Sequence, residues 1–279
     1  MKILDNESKS VPACAACRTE GEIPFPFTMA FQPIVQASGV FAYEALVRGP
    51  EGQSAGSILS QVNDRNMYAF DQACRVKAIE LAASLSPHDL QKVSINFIPG
   101  AVYRPEACIR KTLETAARVG MPLTKIIFEV TESEQVADRK HLVSIFREYR
   151  KHGLQTAIDD FGAGFAGLGL LAEFQPDIVK LDMAIVRNID QRAPSRAIVR
   201  AIVSLCEELG IRLIAEGIET KAEFDVLLDL GIELFQGYLF AKPRLESFAP
   251  ALWPNNTQPA LRRLTGAVSA TEAGILRTI

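Results

Sequence analysis

Met29-Ala30-Phe31-Gln32-Pro33-Ile34-Val35, then Gln36-Ala37-Ser38-Gly39-Val40, then Phe41-Ala42-Tyr43-Glu44-Ala45-Leu46-Val47 follow one another without a break. The outer stretches are apolar and rich in β-favouring residues, and the five residues between them include a glycine. They read as strand, turn and strand. Two neighbouring parallel strands need a crossover of about a dozen residues or more. These two are therefore expected to pair antiparallel, as a hairpin.

Beyond the hairpin the rhythm changes. Six more strands are expected at Val93–Phe97, Ile126–Val130, Thr156–Asp160, Ile178–Leu181, Leu213–Ala215 and Leu234–Phe235. Apolar residues recur at helical spacing over Tyr68–Ser84, Pro105–Val119, Lys140–His152, Ser195–Leu209 and Lys221–Leu230. Gly120, Gly153, Gly210 and Gly231 each follow a periodic run, where a left-handed residue closes a helix. Strand, helix, glycine and strand in repetition argue for a parallel sheet covered by helices. The expected fold is a TIM-like (β/α)8 barrel whose first strand is antiparallel to the others.

The chain has 279 residues, a length that α/β barrels often reach as one domain. Residues 25–249 are assigned to the barrel, 1–24 to a flexible N-terminal arm, and 250–279 to a linker and a possible helix over Ala260–Ile279. Cys14-Ala15-Ala16-Cys17 has zinc-ligand or redox spacing, but no second Cys or His pair follows at short range. A flexible arm is the favoured reading, with a dimer-spanning metal or disulfide as the alternative. The odd count of five cysteines and a start without an apolar signal core suit a reducing, cytoplasmic setting. No apolar run approaches the ~20 residues that span a bilayer. A formal net charge of −3 leaves no electrostatic footprint for long nucleic acid, although a nucleotide needs only a local site.

Carboxylates stand where the apolar strands end. Glu44, Glu129, the pair Asp159-Asp160, Asp182 and Glu216 each close or follow a short apolar run. Asn96 ends another strand and adds a neutral oxygen. A carboxylate in that position is costly to desolvate unless it is paired, hydrogen-bonded or bound to a metal. In a barrel of this kind the strand C-termini carry the active site. The three histidines lie away from these ends, so an all-oxygen site for Mg²⁺ or Mn²⁺ is expected, one that also accepts Ca²⁺. So many acids can hold two divalent ions roughly 3.5–4 Å apart, the spacing used for phosphoester displacement. One acid must then bridge, and the Asp159-Asp160 doublet is the natural candidate. Both can face the site only where the strand gives way to the loop at Phe161-Gly162-Ala163-Gly164. Lys180 shares a strand face with Asp182 and either pairs with an acid or neutralises developing charge. Arg48 is placed to grip a phosphate.

At this point the chain resembles the EAL family of bacterial cyclic-di-GMP phosphodiesterases. The likeness begins with Tyr43-Glu44-Ala45-Leu46-Val47-Arg48 and continues through Asn96, Glu129-Val130-Thr131-Glu132 and Asp159-Asp160-Phe161-Gly162. It runs on through Lys180-Leu181-Asp182, Ala215-Glu216-Gly217-Ile218-Glu219 and Gln236-Gly237-Tyr238, covering roughly residues 28–249 in order. The resemblance implies two divalent cations, Mg²⁺ or Mn²⁺, with Ca²⁺ expected to inhibit. It implies that Glu44, Asn96, Glu129 and Asp159 hold one ion and that Asp159, Asp160 and Glu216 hold the other. Lys180 would contact the attacking water, with Glu219 and Gln236 in supporting contacts and Asp182 near substrate and water. Gln32, Leu46 and Arg48 would contact the dinucleotide, and Glu132 would steady the loop after the aspartate doublet. The implied reaction opens one 3′–5′ bond of cyclic-di-GMP to give linear pGpG, and a homodimer is the implied assembly.

Two stretches depart from the commonest pattern of that family. Ile98 stands where a serine is frequent, and Gly162-Ala163-Gly164-Phe165-Ala166-Gly167 lacks the hydroxyls common after the doublet. Every implied ligand is nonetheless present. A receptor that binds cyclic-di-GMP without cleaving it is the alternative in another class. A barrel enzyme acting on an enolisable acid is a third reading, since acids and a lysine at strand ends also suit that chemistry.

Overall fold

The computed structural model describes residues 23–131, 139–164 and 167–253. Strand β1 (Thr28–Gln36) pairs antiparallel with β2 (Gly39–Arg48) along its whole length, from Thr28 opposite Arg48 to Gln36 opposite Gly39. The hairpin is tighter than expected. A register shift at Ile34/Val35 lets both strands run further, leaving only Ala37 and Ser38 in the turn, and Gly39 adopts a positive φ of 134°.

After the hairpin come α1 (Ala55–Leu59), α2 (Met67–Leu85), β3 (Val93–Asn96), α3 (Pro105–Cys108), α4 (Arg110–Val119), β4 (Ile126–Thr131), α5 (Arg139–Lys151) and β5 (Gln155–Phe161). The chain continues through α6 (Gly167–Glu173), β6 (Ile178–Leu181), α7 (Met183–Val186), α8 (Ala193–Leu209), β7 (Arg212–Ala215), α9 (Lys221–Asp229) and β8 (Leu234–Phe235). Strands β2 to β8 are parallel neighbours in chain order. Strand β8 then meets β1 antiparallel, Phe235 opposite Val35, and closes the eight-stranded barrel. The backwards first strand is therefore antiparallel to both of its neighbours.

The long helices fall within two residues of their expected bounds, except that the run from Pro105 divides into α3 and α4 at Ile109. Gly120, Gly153, Gly210 and Gly231 all take positive φ, as helix-closing residues should. A ninth strand, β9 (Arg244–Leu245), was not expected. It pairs antiparallel with β1 at Ala30 and covers the part of that edge that the two-residue β8 leaves free. Two exposed residues carry no periodic signal. The proposed arm to residue 22, with Cys14 and Cys17, and the proposed tail helix lie outside the described residues, as does Glu132.

The barrel interior is layered. Ile34, Ala42, Ile127, Ala157, Ile178, Ile214 and Leu234 form one apolar cluster inside the sheet. Each lies two positions along the chain from a polar residue at the rim, in its strand or directly after it: Gln32, Glu44, Glu129, Asp159, Lys180, Glu216 and Gln236. Side chains at i and i+2 share a face of a strand, so this cluster is a dry floor directly beneath the acids.

Outside the sheet, the main core packs helices against the barrel and contains one buried ion pair. Arg75 and Asp71 on α2 meet at 2.8 Å, both side chains almost wholly shielded from solvent. Arg75 also donates to the Tyr149 hydroxyl at 2.7 Å and lies 4.9 Å from the Phe128 ring centre. Asp71 accepts a hydrogen bond from the backbone of Ile98 at 2.9 Å. The pair thus ties α2 to the chain just beyond Asn96 and to the neighbour of Glu129. Arg75→Met is expected to destabilise the fold by about 3–5 kcal/mol, because Asp71 becomes a buried, uncompensated charge. Urea unfolding measures it, and a loss below about 1 kcal/mol would contradict the anchoring role.

Candidate functional site

The rim acids converge. Glu44 on β2 and Glu129 on β4 are buried, and Asn96 at the end of β3 reaches both: its amide donates to Glu129 at 2.9 Å and to Glu44 at 3.3 Å. Ser94, two residues earlier on the same face, donates to the other Glu129 oxygen at 2.6 Å. On the far side of Glu44, Gln236, directly after β8, donates to it at 2.7 Å and to Gln32 of β1 at 3.3 Å. Gln32 and Glu44 are direct partners across the hairpin, so the inverted first strand delivers both to one point.

The aspartate doublet is brought together by a bulge. The β5–β6 register shifts between Ile158 and Phe161, and Asp160 takes a left-handed φ of 53°. That conformation is unusual outside glycine and is best tolerated by Asn and Asp. The strand itself continues to Phe161 rather than yielding to a loop at the doublet. A regular strand would send adjacent side chains to opposite faces, and the bulge removes that constraint. Asp159 accepts from the backbone of Asp160 at 2.9 Å, and both line the cavity.

Two groups of carboxylates result. Oxygens of Glu44, Glu129 and Asp159 lie within 4.8 Å of one another, as do those of Asp159, Asp160 and Glu216. Asp159 belongs to both. Lys180 rises from β6 among them, its ammonium 2.7 Å from Glu216, 3.1 Å from Asp159, 3.3 Å from Glu129 and 3.4 Å from Glu44. Its side chain is only 1% exposed.

One ammonium cannot balance five carboxylates. Burial and the neighbouring acids push Glu129 and Glu216 well above the usual carboxylate range, against the opposing pull of Lys180. Asp160 is pushed up to about 6, by burial first and by Asp159 and Asp182 next. Burial alone would lower the lysine, but Asp159, Glu129, Glu216 and Glu44 raise it well above its ordinary value. The surplus of hard oxygen donors in two trios fits divalent cations of the Mg²⁺, Mn²⁺ and Ca²⁺ type. The side-chain oxygen of Gln236, buried with no hydrogen-bond partner, adds a further acceptor at this rim.

Above the acids opens a cavity of about 320 Å³. Gln32, Glu44, Leu46, Asp159, Asp160, Asp182, Glu216, Glu219 and Gln236 line it, so most of the residues picked out in the sequence meet there. Asn96, Glu129 and Lys180 are not part of the lining but are joined to it through the contacts above. Asp182 has a second task, capping α7 by accepting from the backbone of Ala184 at 2.8 Å. Arg48 does not line the cavity; its guanidinium donates to the Val47 carbonyl at 2.7 Å.

Ser94 belongs to none of the sequence motifs, although its spacing from Asn96 on one strand face is a usable signal. Arg187 and Met183 also line the cavity, and nothing in their surroundings in the sequence marks them. Tyr238 was seen only as part of a motif. Gly237 makes the rim possible: a Cβ there would lie 2.1 Å from the Ile218 carbonyl oxygen. Its absence lets Ile218 donate to Gln236 at 3.1 Å and accept from Leu239 at 3.0 Å, locking the Glu216–Glu219 segment beside β8.

An α/β barrel with an inverted first strand and two overlapping carboxylate trios at its rim defines a class of acidic, cation-fitting barrel domains. The chain belongs to the EAL domain family, whose model matches residues 26–243. Among solved structures it is similar to a standalone versatile EAL protein from Vibrio cholerae O395 in its c-di-GMP-bound form. Identity there is 51%, with a TM-score of 0.79 and coverage of 83% of this chain and 98% of that one. Among curated proteins it is 34% identical over 255 residues to the blue light- and temperature-regulated antirepressor BluF of Escherichia coli, covering 90% of this chain and 62% of BluF. It is also 40% identical over 115 residues to the cyclic di-GMP phosphodiesterase PdeR of Escherichia coli, covering 41% of this chain and 17% of PdeR. The chain thus spans less than two thirds of either curated relative. Among the described residues, no helix is long and apolar enough to cross a membrane.

Proposed function

We propose that this chain is a divalent-metal-dependent phosphodiesterase that hydrolyses one 3′–5′ bond of cyclic-di-GMP to linear pGpG. The observation that carries the reading is the pair of carboxylate trios sharing Asp159. In this reading Glu44, Glu129 and Asp159 would hold one ion, with Asn96 joining them once its amide turns its oxygen rather than its nitrogen toward the acids, and Asp159, Asp160 and Glu216 would hold the second. Bound divalent cations supply phosphoryl polarisation and lower the pKa of water.

The chain's own residues do the rest. The apolar floor excludes bulk water from beneath the acids, which strengthens every charge interaction above it. Lys180 holds four carboxylates in place and opposes the negative charge that builds on the phosphoryl group. Gln236, fixed between Glu44 and Gln32, helps to orient the acid. Gln32 and Leu46 face the dinucleotide, with Asp182 at the cavity edge; Arg48, one of whose nitrogens donates to the Val47 carbonyl, serves it through its remaining N–H groups. Glu219 acts at the cavity rim. Water adds its oxygen to phosphorus and gives up a proton, the bond from phosphorus to the 3′ oxygen breaks, and the departing 3′ oxygen takes up a proton from solvent, so that one water is consumed and one hydroxyl is released. A homodimer and inhibition by Ca²⁺ belong to the same reading.

The test incubates the purified protein with cyclic-di-GMP in Mg²⁺ and separately in Mn²⁺, then resolves the nucleotides by chromatography. EDTA and Glu44→Ala are the controls. Metal-dependent pGpG, absent from both controls, is expected. Bound but intact nucleotide would favour the receptor reading, which the likeness to an antirepressor supports. No binding at all would reject both.

Metal affinity should also depend on pH. Asp160 is displaced upward to about 6, so lowering the pH through that value places a proton on a ligand that must be bare. Asp160 by itself is expected to make Mn²⁺ affinity, measured by calorimetry, fall by roughly tenfold between pH 7 and pH 5, and the raised Glu129 and Glu216 can only steepen the fall. A flat profile would remove Asp160 from the ligand set.

A further inference from the structure

Among the described residues that line the cavity the only cation is Arg187, just after α7, and it is already neutralised. Its two terminal nitrogens lie 2.7 and 2.8 Å from the two oxygens of Glu219, a parallel, two-pronged pair. Both partners remain accessible, Arg187 at 27% and Glu219 at 48% of the side chain. Buried Glu223 fixes the pair from below. One of its oxygens accepts from the backbone of Asn188 at 2.9 Å, the other from Glu219 and Thr220 at 3.0 Å each. The two arms of the pair, from different loops, are therefore tied to one carboxylate in the core.

We infer that the Arg187–Glu219 pair reads the edge of a guanine base, making Arg187 a specificity-determining residue of the site. The inference rests on the cyclic-di-GMP reading. A guanidinium has five N–H donors, and the contact with Glu219 leaves some of them free. Because its charge is already balanced, Arg187 offers a ligand directional donors more than net charge. A phosphate would have to displace Glu219 or sit against its carboxylate. Guanine suits the pair as it stands: O6 and N7 accept from arginine, the commonest specific base contact, while N1–H and the 2-amino group donate to a carboxylate. Adenine reverses this pattern, carrying a donor where guanine carries O6. The neighbouring surface suits a flat ring, since Met183 and Tyr238 line the same cavity and are 48% and 54% exposed.

The test measures dissociation constants for cyclic-di-GMP and cyclic-di-AMP, without metal, on the full chain and on Arg187→Ala, Arg187→Gln and Arg187→Lys. Steady-state kinetics on cyclic-di-GMP in Mg²⁺ run alongside, with circular dichroism to confirm folding. Arg187→Ala and Arg187→Gln are expected to weaken cyclic-di-GMP binding by roughly 10- to 100-fold. KM should rise with little change in kcat, and cyclic-di-AMP affinity should stay as it was. Lysine keeps the charge but not the fork, so it should fail to restore the preference for guanine. Equal losses for both nucleotides would overturn the inference in favour of a phosphate contact, and rescue by lysine would do the same. Unchanged cyclic-di-GMP binding would remove Arg187 from the site. If the unaltered chain binds neither nucleotide, the functional reading itself fails, a result distinct from all of these.

Discussion

Lys180→Met is expected to cost the metal-free protein about 3–5 kcal/mol of stability, and Mn²⁺ is expected to return much of it. The ammonium lies within 3.4 Å of four carboxylates and is shielded from water. Methionine keeps most of the side-chain volume, so the change removes charge rather than packing. Removing one partner of a buried ionic cluster typically costs this much, because the remaining charges lose their compensation. The sign of the pH effect follows from the direction of the lysine's shift. Its folded-state pKa is raised above the unfolded value of about 10.4, so the contribution is complete below that pH and disappears only as pH passes the folded value. The deficit should therefore be present at pH 7.5. Cations that bind only the folded state stabilise it by mass action and replace the missing positive charge. Urea unfolding in EDTA and in Mn²⁺ tests both halves. A loss below about 1 kcal/mol, or an identical loss with metal, would show that Lys180 does not hold this cluster together.

Asp159→Asn is expected to lower hydrolysis on the order of 10³-fold while leaving the metal-free fold as stable as before, or more so. Asp159 is the one acid in both trios, so neutralising it weakens both proposed ion sites together. Stability should move the other way because the cluster carries more negative charge than Lys180 can balance. The raised pKa values of Glu129 and Glu216 include repulsion from Asp159. An asparagine oxygen can still accept the backbone hydrogen bond that Asp160 donates at 2.9 Å. Turnover and melting temperature in EDTA are the two readouts. Activity within tenfold of the unaltered chain would count against a bridging role.

The sequence was most legible where a rule was purely local. The hairpin followed from chain length between two apolar runs, because a short loop cannot reverse into a parallel neighbour. The helix-closing glycines followed from steric cost, since left-handed φ is cheap only without a Cβ. The acids stood out because a carboxylate ending an apolar strand needs a reason. Strand β9 gave no such signal, being two exposed residues held only by the free edge of β1. Asp71 and Arg75 stand four apart on α2, a spacing ordinary for exposed helix pairs, and nothing local says that the surface holding them is buried. Arg187 directly follows α7, a helix of only four residues, where periodicity has no meaning.

By itself, then, the sequence determined the barrel, its inverted first strand, and the residue types that meet at the rim. Those depend on period, loop length and desolvation cost, which act over a few residues at a time. Only the tertiary structure decided how the rim residues are shared out. The bulge in β5 turned Asp159 and Asp160 to one side, the ring of strands set Lys180 among four acids, and the loops after β6 and β7 joined Arg187 to Glu219. Each of these depends on distances between residues remote in the chain, which closure of the sheet imposes and no local pattern encodes.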